Sequence, residues 1–427
     1  MSLIHGASWV MLIRVAGAGL TFLSQAMLAR WLGAFEFGVF AYAWVWVTII
    51  GFVAPLGISG AVVKFLPDYV TRGKWRRAHG LIRFSRATIL LSGLVSGALF
   101  ALTIFLLGEQ VPAHYRLPLY LAAATIPVMA LIDLHQELSR SFGWMRLAYF
   151  PTYVLRPAAL LALVGVMVYS STTVTASSAS AAALTACMVT LGVQAATFRR
   201  RLTPNLSTNR ATYHSRHWLQ AAFPFLFIEA AYLVLENTDV IMLGYFTDPE
   251  NVAIYYATIR ISSLLGFIAF AVSALAAPRF STLSAQGKTA EMQRYYRQSI
   301  HLTLWPSIAL GALLLAFGES ILAFFGPQFT TGYPALAILI GAILIEAAFG
   351  PVSFLLSMTG HQAATARTIG YTAAINIMLN AILIPQWGLI GAATATALSI
   401  ILRTIWFVVL ARHRLGISAS PIMATAR

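Results

Sequence analysis

KFLPDYVTRGKWRRAHGLIRFSR (64–86) runs directly into ATILLSGLVSGALFALTIFLL (87–107). The first stretch holds Lys64, Arg72, Lys74, Arg76, Arg77, Arg83 and Arg86; the second holds no charged residue. About 20 apolar residues cross the hydrocarbon layer as a helix, and basic residues collect on the cytoplasmic side. The junction therefore reads as a cytoplasmic loop entering a membrane span. Moving outward from it, the same alternation repeats along the chain. Twelve spans are read, at 8–29, 38–62, 86–107, 117–136, 147–169, 177–198, 217–243, 252–276, 299–322, 333–357, 364–385 and 388–411. The last two are joined by a tight turn at Pro385–Gln386–Trp387–Gly388. The first span is too long for a cleavable signal and lacks a basic leader, so it is expected to stay in the protein.

Composition agrees. The chain of 427 residues is 59% hydrophobic and 10% charged. Soluble domains sit near half apolar and a quarter charged, so the excess apolar surface is expected to face lipid. The lone cysteine, Cys187, lies inside a span, which excludes disulfide scaffolds and thiolate metal sites. The net charge of +15 is read as loop and headgroup chemistry. Nucleic-acid binding is excluded for lack of a basic, aromatic-interleaved soluble domain.

Of 28 Lys and Arg, 22 fall after even-numbered spans or in the tail, two (Arg30, Arg116) fall after odd-numbered spans, and four lie inside spans. Both termini are thus placed in the cytoplasm, with short external loops and the protein in the cytoplasmic (inner) membrane.

The halves repeat. At an offset of 214, Glu36, Tyr42, Ala43, Gly73, Lys74, Arg83 and Ser85 meet Glu250, Tyr256, Ala257, Gly287, Lys288, Arg297 and Ser299. Later the offset drifts to 217, where Gly143 meets Gly360. The expected fold is an all-α polytopic membrane protein, twelve transmembrane helices in two pseudo-symmetric six-helix lobes around a central cavity. The lobes are set at 1–198 and 217–411, with 199–216 as a cytoplasmic linker and 412–427 as a cytoplasmic tail.

Charge within a bilayer is costly and marks a partner or a cavity. Span 7 carries Glu229, Tyr232, Glu236 and Asp239 on one helical stripe, with Pro224 upstream as a candidate hinge. Asp239 and Arg260 fall at similar depth on adjacent spans, which makes them a candidate ion pair. Arg14, Thr21 and Gln25 share a face of span 1, and Gln25 occupies the repeat position of Asp239. Arg156, Arg403 and Glu346 lie in spans 5, 12 and 10. Arg403 shares a face with Thr396 and Ser399, and Asn376 with Asn380. Helix-to-helix packing is the alternative fate of each of these residues taken singly. Together, Arg14, Arg156, Arg260 and Arg403 form a set suited to phosphate, with Gln25 beside them. Glu229, Glu236, Asp239 and Glu346 form a set suited to ion pairing or coupling. The sequence carries no phosphate-binding Gly-rich GKS or GKT loop, no metal-ligand cluster and no Ser/His/Asp set, so neither a cofactor nor catalysis is expected.

Three further stretches carry a family resemblance: LARWLGAFEFGVFAYAW (28–44) with APLGISGAVVKFLPDY (54–69), ENTDVIMLGYFTDPENVAIYYATIRISSLL (236–265), and ILIPQWGLIGAATATALS (382–399). With them the chain resembles the polysaccharide transporter family, the O-antigen-flippase-like branch of the superfamily that includes multidrug exporters and the lipid II flippase. The resemblance implies alternating access and, as cargo, a polyprenyl-diphosphate-linked oligosaccharide, the repeat unit of an O-antigen, capsule or exopolysaccharide. It matches Asp239, Arg260 and Arg30 to family positions. The implied partners are the lipid-linked oligosaccharide, membrane lipids, a coupling ion (proton or sodium), and polysaccharide polymerase and assembly proteins. Many relatives carry two further spans, which puts in question a lipid-tail groove built by extra helices. Two rival readings remain: a proton- or sodium-coupled multidrug antiporter, which the four arginines oppose, and a membrane polymerase or ligase, which the short external loops oppose.

Overall fold

The structure is a computed structural model describing residues 3–170, 173–206 and 211–417. Every regular element among the described residues is helical. In the first half the helices are α1 (Leu3–Val53), α2 (Ile58–Thr71), α3 (Trp75–Leu107), α4 (Ala113–Ser141), α5 (Met145–Phe150), α6 (Arg156–Tyr169) and α7 (Ala176–Leu206). A π-helical turn, Pro151–Leu155, joins α5 to α6. The chain continues through α8 (Ser215–Phe246), α9 (Pro249–Ser262), α10 (Gly266–Ala285), α11 (Thr289–Ala316), α12 (Gly318–Ala323), α13 (Tyr333–Ala347), α14 (Val352–Met358) and α15 (Gln362–Leu415).

Nine stretches among the described residues are long and apolar enough to cross a membrane. Two of them, α1 and α15, are each two helical limbs merged across a bend, at Gly33 (φ 76°, ψ 169°) and Gly388 (φ 50°, ψ −124°). Gly33 occupies a region of backbone space essentially restricted to glycine. The Gly388 bend is the turn read from the sequence. Behind it, Gly391 lets the second limb of α15 approach the first so closely that an added Cβ would lie 2.2 Å from the Leu383 carbonyl oxygen.

Several spans expected to be continuous are interrupted. Span 2 breaks at residues 54–57, where Pro55 precedes Leu56 (φ 54°) and Gly57 (φ 71°). Span 8 passes through a 3-10 turn at Ser263–Leu265, and span 10 breaks between Ala347 and Val352 around Gly350–Pro351. Irregular backbone survives at membrane depth only where protein covers it. Ala54, Pro55 and Gly57 are buried, and the break keeps turn hydrogen bonds from Leu56 N to Val53 O (2.9 Å) and Ile58 N to Pro55 O (2.9 Å).

The repeat is visible in local geometry. After spans 2 and 8, helices end in the same two-bond cap with glycine in the left-handed region. Lys74 N donates to Tyr69 O (2.7 Å) and Gly73 N to Val70 O (3.1 Å); Lys288 N donates to Leu283 O (3.1 Å) and Gly287 N to Ser284 O (3.0 Å). This is the Schellman arrangement. It recurs after span 4, where Trp144 N donates to Ser139 O (2.9 Å) and Gly143 N to Arg140 O (2.9 Å). Gly143 and Gly360, paired by the drifted offset, have φ of 73° and 89°.

The chain divides into two compact units, Met1–Leu233 and Val234–Arg427. The sequence placed its linker at 199–216, whereas this division falls inside α8. The first part of α8 belongs to unit 1 because Trp218 and Ala222 are buried in the core formed by α2, α3 and α4. There Trp218 Nε1 donates to the Tyr69 hydroxyl (3.2 Å). Within unit 1, α4 is the central helix, packed on α1, α2, α3 and α7.

Candidate substrate and coupling sites

In unit 1 the two membrane arginines flank the π-helical turn. Arg14 on α1 lies over the rings of Tyr149 (Cζ 5.1 Å from the centroid) and Tyr153 (5.8 Å). α1 and this turn come close because Gly17 lacks a side chain: a Cβ there would lie 2.6 Å from Tyr153 Cβ. Arg156, the first residue after the turn, donates to Met129 Sδ (3.3 Å) and lies 5.7 Å over the Trp44 ring. Among the described residues no ion pair includes Arg156. A π-helical turn displaces side chains from the α-helical register and often marks a functional site. Here Tyr153 of the turn joins Tyr149 of α5 against Arg14, and the turn sets Arg156 against α4 on its other side. Gln25, half-buried, is eleven residues along α1 from Arg14, about 16 Å at helical rise, so it belongs to a different level.

In unit 2 the polar residues form a ladder up one face of the second limb of α15. The face read from sequence, Thr396, Ser399 and Arg403, is real, and each member meets a different helix. Thr396 Oγ1 donates to Asp239 Oδ2 (3.3 Å), Ser399 Oγ accepts from Asn376 Nδ2 (3.1 Å), and Arg403 pairs with Glu346 Oε1 (3.0 Å). Asn380 Nδ2 donates to Asn376 Oδ1 (3.0 Å), as their shared face requires, while Asn380 Oδ1 is buried and accepts no hydrogen bond.

The expected Asp239–Arg260 pair does not form. Asp239, 4% exposed, accepts from the Tyr255 hydroxyl (2.6 Å) and from Val240 N (2.9 Å). Arg260 donates to the Tyr256 hydroxyl (2.8 Å) and lies 4.7 Å over that ring. The chain turns between Phe246 and Pro249, which sets Asp239 opposite Tyr255 and Tyr256, about one helical turn short of Arg260. Glu236, one turn before Asp239, is the acid within electrostatic reach of Arg260 and Arg403, and it is solvent-accessible. Pro224 and Glu229, the candidate hinge and the first acid of the stripe, have side chains outside the described residues; the helix α8 itself runs continuously past both.

The four arginines are therefore not one set. Arg403 is committed to a carboxylate, Arg260 to a phenol beside Glu236, and Arg14 and Arg156 to aromatic rings and a thioether. The aromatic and sulfur partners escaped sequence reading because nothing in their spacing separates them from core. Tyr255 carried one weak signal, a hydroxyl in a span that also holds a charge.

Long apolar helices in two compact units define a polytopic membrane fold. Solved structures share it. An inward-facing multidrug resistance transporter of the MATE family superposes with a TM-score of 0.75 over 97% of this chain and 99% of that one, at 14% identity. The lipid II flippase MurJ in an inward closed conformation superposes with a TM-score of 0.74 over 95% of this chain and 87% of that one, at 15% identity. The polysaccharide biosynthesis protein family matches residues 3–284, and the chain belongs to that family; the MatE family also matches residues 224–386. Among relatives, a probable low-salt glycan biosynthesis flippase, Agl15 of Haloferax volcanii, is 25% identical over 95% of this chain and 82% of its own length. The probable flippase AglR of the same organism is 31% identical over 39% of this chain and 36% of its own length.

Proposed function

We propose that the protein is a flippase for a lipid-linked oligosaccharide in the cytoplasmic membrane, moving a polyprenyl-diphosphate-linked repeat unit by alternating access with both termini in the cytoplasm. The observation that carries the reading is Arg156, a guanidinium inside a membrane helix whose partners are a thioether and an indole ring. Neither partner is anionic, so neither neutralises the guanidinium. Arg is suited to phosphate because its planar fork of N–H groups matches phosphate oxygens. Arg14, over two tyrosine rings, adds a second cation in the same unit.

Coupling falls to unit 2. Asp239 is a buried carboxylate with a phenol, a threonine hydroxyl and a backbone N–H on it. Oxygen-rich surroundings of this kind suit a proton or a hard monovalent cation, and the buried Asn380 Oδ1 supplies another acceptor along the same ladder. Glu236, accessible beside Arg260, links the charge of Asp239's helix to a cationic position.

The test is reconstitution of the full chain in proteoliposomes with a polyprenyl-diphosphate oligosaccharide placed in one leaflet. Appearance of the sugar in the opposite leaflet, read by lectin binding, is expected, and R156Q is expected to suppress it. Transport of organic cations with no movement of the lipid-linked sugar would replace this reading with the antiporter.

A further inference from the structure

Arg86 opens span 3 and reads as a topological arginine, but the structure does not leave it in a loop. It lies eleven residues into α3, about 16 Å from Trp75. Its Cζ is 5.1 Å over the Phe198 ring of α7, and its Nη2 is 3.3 Å from His135 Nε2 of α4. His135 is 4% exposed, and its Nδ1 lies 2.8 Å from the Leu131 carbonyl oxygen. A carbonyl only accepts, so Nδ1 carries the ring proton and Nε2 offers Arg86 a lone pair. The guanidinium is thus held by a neutral imidazole and a phenyl ring.

Among the described residues no acid pairs with it. The carboxylates of α4 are engaged elsewhere: Asp133 accepts from Ser59 Oγ (2.6 Å), and Glu137 pairs with Arg140 (2.6 Å). Among the described residues no ion pair includes Arg86, and its Nε is buried with no hydrogen-bond partner. Among the described residues nothing accepts from this Nε, and the guanidinium as a whole stays half-buried rather than enclosed. One turn further along α7, exposed Arg201 lies 5.6 Å over the Trp144 ring. Trp144 packs on Phe142 (4.8 Å between centroids) and on Phe198 (5.4 Å). Two guanidinium groups rest on one aromatic cluster, at the end of unit 1 where the basic loops lie.

A half-buried cation without a counter-charge is unfavourable unless something anionic reaches it. Arg86 stands where the basic loop gives way to the uncharged stretch 87–107, which is the depth of lipid phosphates. We propose that Arg86, backed by His135 and with Arg201 at the rim, binds the phosphate of an anionic membrane lipid, at a site distinct from the contacts of Arg156 with Met129 and Trp44. The phosphate comes from a bilayer phospholipid or from a polyprenyl phosphate.

The test is lipid binding to the purified full chain, by native mass spectrometry and thermal unfolding. Phosphatidylglycerol is expected to be retained and to raise Tm, and phosphatidylcholine is not. R86Q should weaken phosphatidylglycerol binding by about tenfold or more, the scale of a lost charge-assisted hydrogen bond. R86K, which keeps charge but loses the fork, and R201Q, at an exposed position, should each weaken it less, while R83Q, also exposed, should not. Competition by polyprenyl phosphate would assign the site to that lipid, and its absence to the bilayer phospholipid. Equal retention of the two phospholipids by the unaltered chain overturns the proposal. So does undiminished phosphatidylglycerol binding in both R86K and R201Q, the pair that decides should R86Q not fold. Binding is read without transport, so failure of the flippase reading would leave this result standing.

Discussion

Unit 1 and unit 2 surround their membrane-helix arginines with different balances of partners. In unit 1 the arginines Arg86, Arg156 and Arg14 lie against rings, an imidazole and a thioether. In unit 2 Arg403 lies against Glu346, Arg260 lies over the Tyr256 ring within reach of Glu236, and Asp239 stands at the head of a hydroxyl and amide ladder. Aromatic and sulfur partners stabilise a cation without cancelling it, whereas carboxylate partners cancel it. The repeat thus supplied two similar scaffolds, and side chains outside the repeated motifs set cations on rings in one and a carboxylate on a hydroxyl and amide ladder in the other, the difference behind the proposed division into cargo binding and ion coupling.

The comparison can be broken at several points. D239N should have the largest effect, a loss of transport of roughly 10- to 100-fold, since it removes a charged acceptor of several hydrogen bonds. The loss should come with weakened dependence on sodium or pH in a transport assay; unaltered ion dependence would deny unit 2 its role. R156Q is expected to reduce transport about tenfold, chiefly through weaker cargo binding, so a fluorescent cargo titration should shift while ion dependence stays as before. If R156Q changed ion dependence instead, the division between the units would be lost. G33A tests the scaffold: forcing a side chain into that backbone region should cost about 1–3 kcal/mol in unfolding experiments and leave ion dependence untouched. The smallest effect belongs to Arg403 and Glu346. Their side chains are 21% and 40% exposed, so a double-mutant cycle with R403Q and E346Q should return a coupling of about 1 kcal/mol or less. A much larger coupling would mean that the pair holds unit 2 together rather than tuning it.

Much of the scaffold was readable from residues. The bend at Gly388 was legible because Pro385 and Gly388 interrupt an apolar run. The equivalence of Gly73 and Gly287 was legible because the offset of 214 pairs them; the caps they form were not. The shared faces of Asn376 with Asn380, and of Thr396 and Ser399 with Arg403, follow from helical periodicity. The interruptions of spans 2 and 10 were not seen, because hydropathy averages over Pro55–Gly57 and Gly350–Pro351 and cannot report whether neighbouring helices cover an exposed backbone.

The amino-acid sequence by itself determined that the chain is helical and membrane-embedded, that it repeats, and which residues are charged at membrane depth. These are properties of composition and period, and each is carried by a single helix. Only the tertiary structure decided the partners: Asp239 with Tyr255 rather than Arg260, Arg403 with Glu346, Arg156 with Met129 and Trp44, and Arg86 with His135 and Phe198. A partner depends on the depth and rotation of two helices at once. An error of one turn, about 5 Å, exchanges a carboxylate for a phenol. That exchange separates a charge paired with its opposite from one held by neutral donors.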